Sequence, residues 1–197
     1  SRVGTIRHPY DDILQIWETG TGQWVGALCA YPGQFWAETC SAHFADARGA
    51  EMLAVAEQEN LRIWDLESGQ LVGAPLTGHA ARINDILSWT TPFGETRLAT
   101  ASSDGSIRLW DPDAGTQVGR SLTGHAGPVR DMCIFTTRHG DAWLASVGDE
   151  GAIRIWDPDA GRQIGRPLKG PACPMTCVAS FSAANGEPRL VTTGDDY

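Results

Sequence analysis

Two sets of residues in this chain have the types used in nucleophilic catalysis: His79 with Thr100 and Asp104, and His125 with Ser146 and Glu150. An imidazole, a hydroxyl and a carboxylate brought into one cleft can activate the hydroxyl for acyl transfer. The two sets, however, lie 46 residues apart, position by position. An active site is built once, whereas a set that recurs with the period of the chain is what structural hydrogen bonding predicts. No catalytic residue is therefore assigned, and the chain is expected to be no enzyme.

Other chemistries find less support. Asp-Pro-Asp-Ala-Gly occurs at Asp111–Gly115 and Asp157–Gly161, but Pro and Gly there make a tight hairpin turn, and the ligand-rich pattern of a calcium loop is missing. The five cysteines, Cys29, Cys40, Cys133, Cys173 and Cys177, are odd in number and show no repeat register and no Cys-x-x-Cys. That argues against a disulfide framework. Cys173 and Cys177 have no second pair or nearby His to complete a tetrahedral metal site, so no metal is expected. Cys133 falls in an expected strand as a small buried thiol, and free thiols suit a reducing, cytoplasmic compartment. The 23 glycines form no phosphate-binding loop; they fall at turns and in the pairs Val25-Gly26, Val72-Gly73 and Val118-Gly119, where a bulge explains them. No cofactor is expected.

Charge narrows the partners. With 24 acidic against 15 basic residues the net charge is −9, and Lys169 is the only lysine. A surface that tracks phosphates needs clustered Lys and Arg, so nucleic acid is not an expected partner. No apolar run approaches the roughly 18 residues of a membrane helix, and no membrane association is expected. At 197 residues and 42% hydrophobic content the chain has material for a substantial core.

The elements that must position these residues are legible from the repeat. Trp64-Asp65, Trp110-Asp111 and Trp156-Asp157 are spaced by 46, as are Gly78-His79 and Gly124-His125. Short alternating runs such as Ile13–Trp17, Leu61–Asp65, Ile107–Trp110 and Ile153–Trp156 read as half-buried strands. Units of this length bury their apolar faces on one another. The expected division is a partial repeat unit at 1–33 (third and fourth strands), a degenerate unit at 34–76, full units at 77–122 and 123–168, and a partial unit at 169–197 (first and second strands). A further strand near Val3–Ile6 has only a weak register.

With IRLWDPDAG at Ile107–Gly115, IRIWDPDAG at Ile153–Gly161 and LTGHA at Leu76–Ala80 and Leu122–Ala126, the chain resembles the WD-repeat β-propeller family of the tandem bacterial type. The resemblance implies an all-β fold of about four blade equivalents: three four-stranded blades and a half blade at each end. It implies hydrogen-bonded tetrads of His79, Thr100, Asp104 and Trp110 and of His125, Ser146, Glu150 and Trp156, in which the longer Glu150 disturbs a network suited to Asp. Val55 and Gln34 occupy the Thr and His positions of the degenerate blade, and Pro171 the His position of the last. The resemblance further places a partner-binding rim at Arg82, Asn84, Ser103, Arg130, Asp149, Thr176 and Asp195. It implies a scaffold for protein partners, as the propeller of a larger regulatory or signalling protein of which this chain is a fragment. The alternatives are a half-propeller that closes as a homodimeric eight-bladed ring through its half blades, and a propeller with a ligand or catalytic site in its channel.

Overall fold

The alternating runs and the turns between them form strands throughout. The computed structural model describes residues 40–170 and 173–194 in full, and the backbone strands of residues 2–5, 13–17 and 24–29. Seventeen strands make five antiparallel sheets among the described residues. The first sheet holds β1 (Arg2–Thr5), β2 (Ile13–Trp17) and β3 (Trp24–Cys29). Four-stranded meanders follow: β4 (Ser41–Ala45), β5 (Glu51–Glu57), β6 (Asn60–Asp65) and β7 (Leu71–Leu76); then β8 (Ile83–Thr90), β9 (Thr96–Ser102), β10 (Ser106–Asp111) and β11 (Thr116–Thr123); then β12 (Val129–Thr136), β13 (Ala142–Gly148), β14 (Ala152–Asp157) and β15 (Arg162–Lys169). A two-stranded sheet, β16 (Met175–Ser182) with β17 (Pro188–Gly194), comes last.

The N-terminal sheet is three-stranded: beside the expected third and fourth strands it holds β1, at the place of the further strand whose register in the sequence is weak. β1 pairs with the edge of β2, with Val3 opposite Ile16 and Gly4 opposite Gln15. By register Gly4 takes the position that Thr100 takes on β9, where Thr100 stands opposite Arg108. A four-residue strand with glycine at its most informative position leaves little periodic signal.

Hairpin chemistry is local. The Asp111 carboxylate accepts the Ala114 N–H at 2.9 Å and that of Asp157 accepts the Ala160 N–H at 2.8 Å, so both acids are engaged in their own turns. Each fourth strand bulges opposite an arginine: pairing skips between Ile107 and Leu109, and between Ile153 and Ile155. Gly119 and Gly165 supply the left-handed φ (63° and 65°) that this bulge requires.

The core lies between sheets. Second and third strands are the most buried, with Leu98, Ala99, Ala101 and Ile107 at 0% exposure. Trp110 joins Phe44, Met52, Ile63 and Leu76 of the preceding sheet, and Trp156 joins Leu109 and Leu122 of its own predecessor. Burial of one such ring contributes a few kcal/mol, on the order of 3.

Candidate interaction face and the polar network beneath it

Each tryptophan brings an indole N–H into a dry seam, and that donor needs an acceptor. Trp110 Nε1–H donates to Thr100 Oγ1 at 2.9 Å, and Thr100 Oγ1 lies 2.8 Å from His79 Nε2. On the other side of the ring His79 Nδ1 meets Asp104 Oδ2 at 2.8 Å. A carboxylate only accepts, so Nδ1 bears the proton and the Thr100 hydroxyl donates to Nε2. Asp104 also accepts from the Ala80 N–H at 3.0 Å and from the N–H and hydroxyl of Ser106 at 2.8 and 2.7 Å. Burial pushes the Asp104 carboxyl up, but the donors from Ser106, Ala80 and His79 outweigh it and hold it well below the usual carboxylate range. The His79 imidazole is itself held down, by burial first, against the opposing pull of Asp104.

The next sheet repeats the arrangement with Ser146 for Thr100, Glu150 for Asp104 and Ala152 for Ser106. Trp156 Nε1–H donates to Ser146 Oγ at 2.8 Å, and Ser146 Oγ lies 2.6 Å from His125 Nε2. Glu150 Oε1 lies 2.7 Å from His125 Nδ1, yet out of line, so the buried Nδ1 has no hydrogen-bond partner. The carboxylate instead accepts from Arg154 Nε at 2.8 Å and from the Ala126 N–H at 3.0 Å. Burial raises the Glu150 carboxyl, and Arg154, Ala126 and His125 together bring it below its ordinary value. Burial lowers the His125 imidazole, Glu150 opposing.

A clip that the sequence reading missed supports both networks. Arg108 Nη1 donates to Gln117 Oε1, and Gln117 Nε2 donates back to the bulge at Gly119 O, 3.0 Å away. Arg154 and Gln163 do the same, at 2.6 Å for the first bond and 2.9 Å to Gly165 O for the second. The guanidinium groups lie over Gly78 and Gly124. A Cβ there would come within 2.7 Å of Arg108 Nη1 and 3.0 Å of Arg154 Nη1, and both glycines have positive φ. The Gly of each Gly-His pair thus makes room for an arginine. The signal was present: both repeats carry Arg two residues before the Trp and Gln seven after it.

In the degenerate blade Val55 stands opposite Arg62 as Thr100 stands opposite Arg108. Valine has no acceptor, and the buried Trp64 Nε1 is left without a partner. Leu71 stands opposite Trp64 where Gln117 stands opposite Trp110, and Arg62 Nε turns to Glu57 Oε2 at 2.5 Å. Gln34 and Pro171 lie outside the described residues.

The rim residues are brought together in pairs. Asn84 Nδ2–H donates to Ser103 Oγ at 3.0 Å and to Val129 O of the next sheet at 2.7 Å. Arg130 grips Asp149 with both ends of its fork, at 2.7 and 2.9 Å. Thr176 Oγ1 lies 3.4 Å from Thr193 Oγ1. Arg82 is half-buried before β8 and its carbonyl accepts the Ser103 N–H at 2.9 Å. Asp195 lies outside the described residues. Arg130 and Thr176 are exposed, whereas Asn84 is half-buried and spans a seam.

Among the described residues no group of three or more His, Cys, Asp or Glu is arranged to hold a metal ion, and no helix is long and apolar enough to cross a membrane. No curated protein matches the chain. The family described as "WD domain, G-beta repeat" (WD40) matches residues 69–111 and 116–157. These two segments carry Trp110 and Trp156 with their hydroxyl and acid partners and the clip arginines Arg108 and Arg154. With the sheets stacked through those tryptophans, the two matched segments are WD repeats, and the all-β architecture around them is consistent with the blades of a WD-repeat β-propeller.

Proposed function

We propose that the chain is a non-enzymatic scaffold, the propeller part of a larger regulatory or signalling protein, and that partner proteins dock on the rim at Arg130, Asp149, Thr176 and Ser103. WD40 repeats generally mediate protein–protein contacts. One observation carries the non-enzymatic reading: the side chains of His79 and His125 are 0% and 1% exposed. Their ring nitrogens face the hydroxyls and acids of their own blades, out of reach of a substrate. The outward Arg130–Asp149 fork offers charge and planarity suited to a polar protein surface.

The test is site-specific photo-crosslinking from position 130 and, on the opposite hairpin end, from position 93, followed by calorimetry with the purified crosslinked partner. The R130E change is expected to weaken binding at least about tenfold. Unchanged affinity in R130E, with binding lost in F93D, would move the docking face to the other end of the blades.

A second reading, assembly of two copies through the terminal sheets, has one observation in its favour. β17 pairs only with β16 among the described strands, and its register against β16 matches that of β9 against β8, with Thr192 in the place of Thr100. On β2 that register would set Leu190 opposite Trp17, where Arg2 now stands. β17 therefore competes with β1 for one edge. Removal of residues 1–5 is expected to promote dimers in light scattering; a monomer before and after removal would count against this reading.

A further inference from the structure

The same groove opens at two consecutive seams, at the end of the sheets away from the Gly-His pairs. Between the sheets of β4–β7 and β8–β11 it measures about 250 Å³, with Phe44, Ile63 and Val72 as apolar walls and Pro112 and Asp113 of the next sheet closing one side. Between the sheets of β8–β11 and β12–β15 it measures about 290 Å³, with Trp89, Leu109 and Val118 as walls and Pro158 and Asp159 closing it. Each residue of the second set follows its counterpart by 45 or 46 positions.

The hairpins over the two grooves differ. In the first, Ala47 donates its N–H to Asp113 Oδ1 at 3.3 Å, and Arg48, paired with Asp46 at 2.9 Å, stands beside the same groove. In the second, Pro92 and Phe93 take the places of Ala47 and Arg48. Matching turn bonds fix this correspondence: the Gly49 N–H donates to Asp46 O, and the Gly94 N–H to Thr91 O. Proline has no N–H to give, and phenylalanine has no charge. The exposed Asp159 accordingly has no partner among the described residues. The chain supplies the first acid with a donor and a nearby cation, and the second with neither.

We propose that the groove at Phe93 is a docking site for an extended segment of a partner protein in which a large apolar residue lies next to an arginine. The apolar side chain fills the space between Trp89, Leu109 and Val118. A backbone N–H and the guanidinium of the segment bring to Asp159 what Ala47 and Arg48 bring to the neighbouring groove. Phe93 is 90% exposed, and its ring face gives the guanidinium a second surface beside the carboxylate. Charge selects the occupant. The groove sets Glu95 and Asp159 against Arg97, and Arg97 is already paired with Glu95 at 2.6 Å and with Asp111 at 3.3 Å. The charge left over is negative, as is that of the whole chain at −9, so a basic segment is drawn in and an acidic one repelled. This site lies at the opposite end of the blades from Arg130 and does not depend on docking at the rim.

Nuclear magnetic resonance of the isotope-labelled full chain tests it, with the acetylated and amidated peptide Gly-Leu-Arg-Gly as the probe. The peptide is expected to shift the indole N–H of Trp89 and the amides of Phe93, Gly94 and Ala160, and to leave those of Ala47 and Arg48 in place. Gly-Leu-Glu-Gly is expected to shift none of them. An equal response to the two peptides, or no response to either, would overturn the proposal. Asp159→Asn is expected to weaken binding of the arginine peptide about fivefold. Pro92→Ala returns the N–H that Ala47 has, so Asp159 is satisfied from within and binding is expected to weaken about threefold. Wild-type affinity in either variant would count equally against the proposal. The comparison of the two peptides on the wild type decides the matter even where a variant fails to fold. Dimers in light scattering that F93D converts to monomers, with no peptide shift, would assign the groove to a second copy of this chain instead.

Discussion

Among the differences between the sheet of β8–β11 and the sheet of β12–β15 is one methylene at the acid of the turn, Asp104 against Glu150, and it decides which neighbour is satisfied. Asp104 is short and bonds to His79, and Arg108 Nε is left buried without a partner. Glu150 is long and bonds to Arg154, and the unpartnered atom is His125 Nδ1. The ring geometry follows: His79 meets Trp110 edge-on at 65°, whereas His125 tilts to 44° against Trp156. The acid is thus a divided resource between an imidazole and a guanidinium. Both versions fold because the indole and hydroxyl bonds beneath are the same in each.

The sharpest way to break this comparison is to remove what the sheets share. Thr100→Val orphans both Trp110 Nε1 and His79 Nε2, and urea unfolding is expected to show a loss of about 3 kcal/mol. A loss below about 1 kcal/mol would mean that the network is ornamental. A double-mutant cycle isolates what differs. The His79–Asp104 coupling is expected near 1.5 kcal/mol and the His125–Glu150 coupling below about 0.5; equal couplings would erase the distinction.

The degenerate blade allows the opposite experiment. Val55→Thr is nearly isosteric and gives Trp64 Nε1 an acceptor, for an expected gain of about 1 kcal/mol. In amide exchange the β8–β11 blade is expected to be better protected than the β4–β7 blade, and Val55→Thr to narrow the gap. The reverse order would place stability elsewhere than in these networks.

Smallest in energy, but distinct in sign, is the response to acid. Burial lowers both imidazoles, so the stability they contribute is present above their ordinary value of 6.5 and is lost as pH falls below it. Imidazole nitrogen-15 shifts are expected to show both rings still neutral somewhat below that value. Midpoints at or above 6.5 would contradict the burial argument. Glu150→Asp returns the bond to His125 and orphans Arg154 Nε, so its net effect is expected within about 0.5 kcal/mol of zero.

The strands and the tetrads were legible because tryptophan, the Gly-His pair and the turn acid are rare types held at a fixed interval. Residues of common type were not. Arg108 and Gln117 look like solvated strand residues until their partners at Gly78 and Gly119 are known, since the Arg–Gly contact joins residues 30 apart. Asp85 and Asp131, whose carboxylates accept the Met132 and Val178 N–H groups of the next sheet, sit inside apolar strands, where one repeated aspartate resembles ordinary alternation. β1 was faint because backbone pairing to β2, with glycine in the central place, needs almost no side-chain pattern. The rim was located by position, but its pairing into Asn84 with Ser103 and Arg130 with Asp149 depends on the register of strands that sequence alone leaves open.

The bulge on each outermost strand has a consequence for how such arrays coexist in a crowded solution. A straight outer strand would present a run of free amides and carbonyls to any passing chain and recruit it into a growing intermolecular sheet. At β7, β11 and β15 a glycine with φ of 69°, 63° and 65° interrupts that run at the same level. The ladder that a foreign strand would need is broken along the perimeter of each blade. New material can add sideways, as another blade on the stack, far more readily than outward, as a fifth strand.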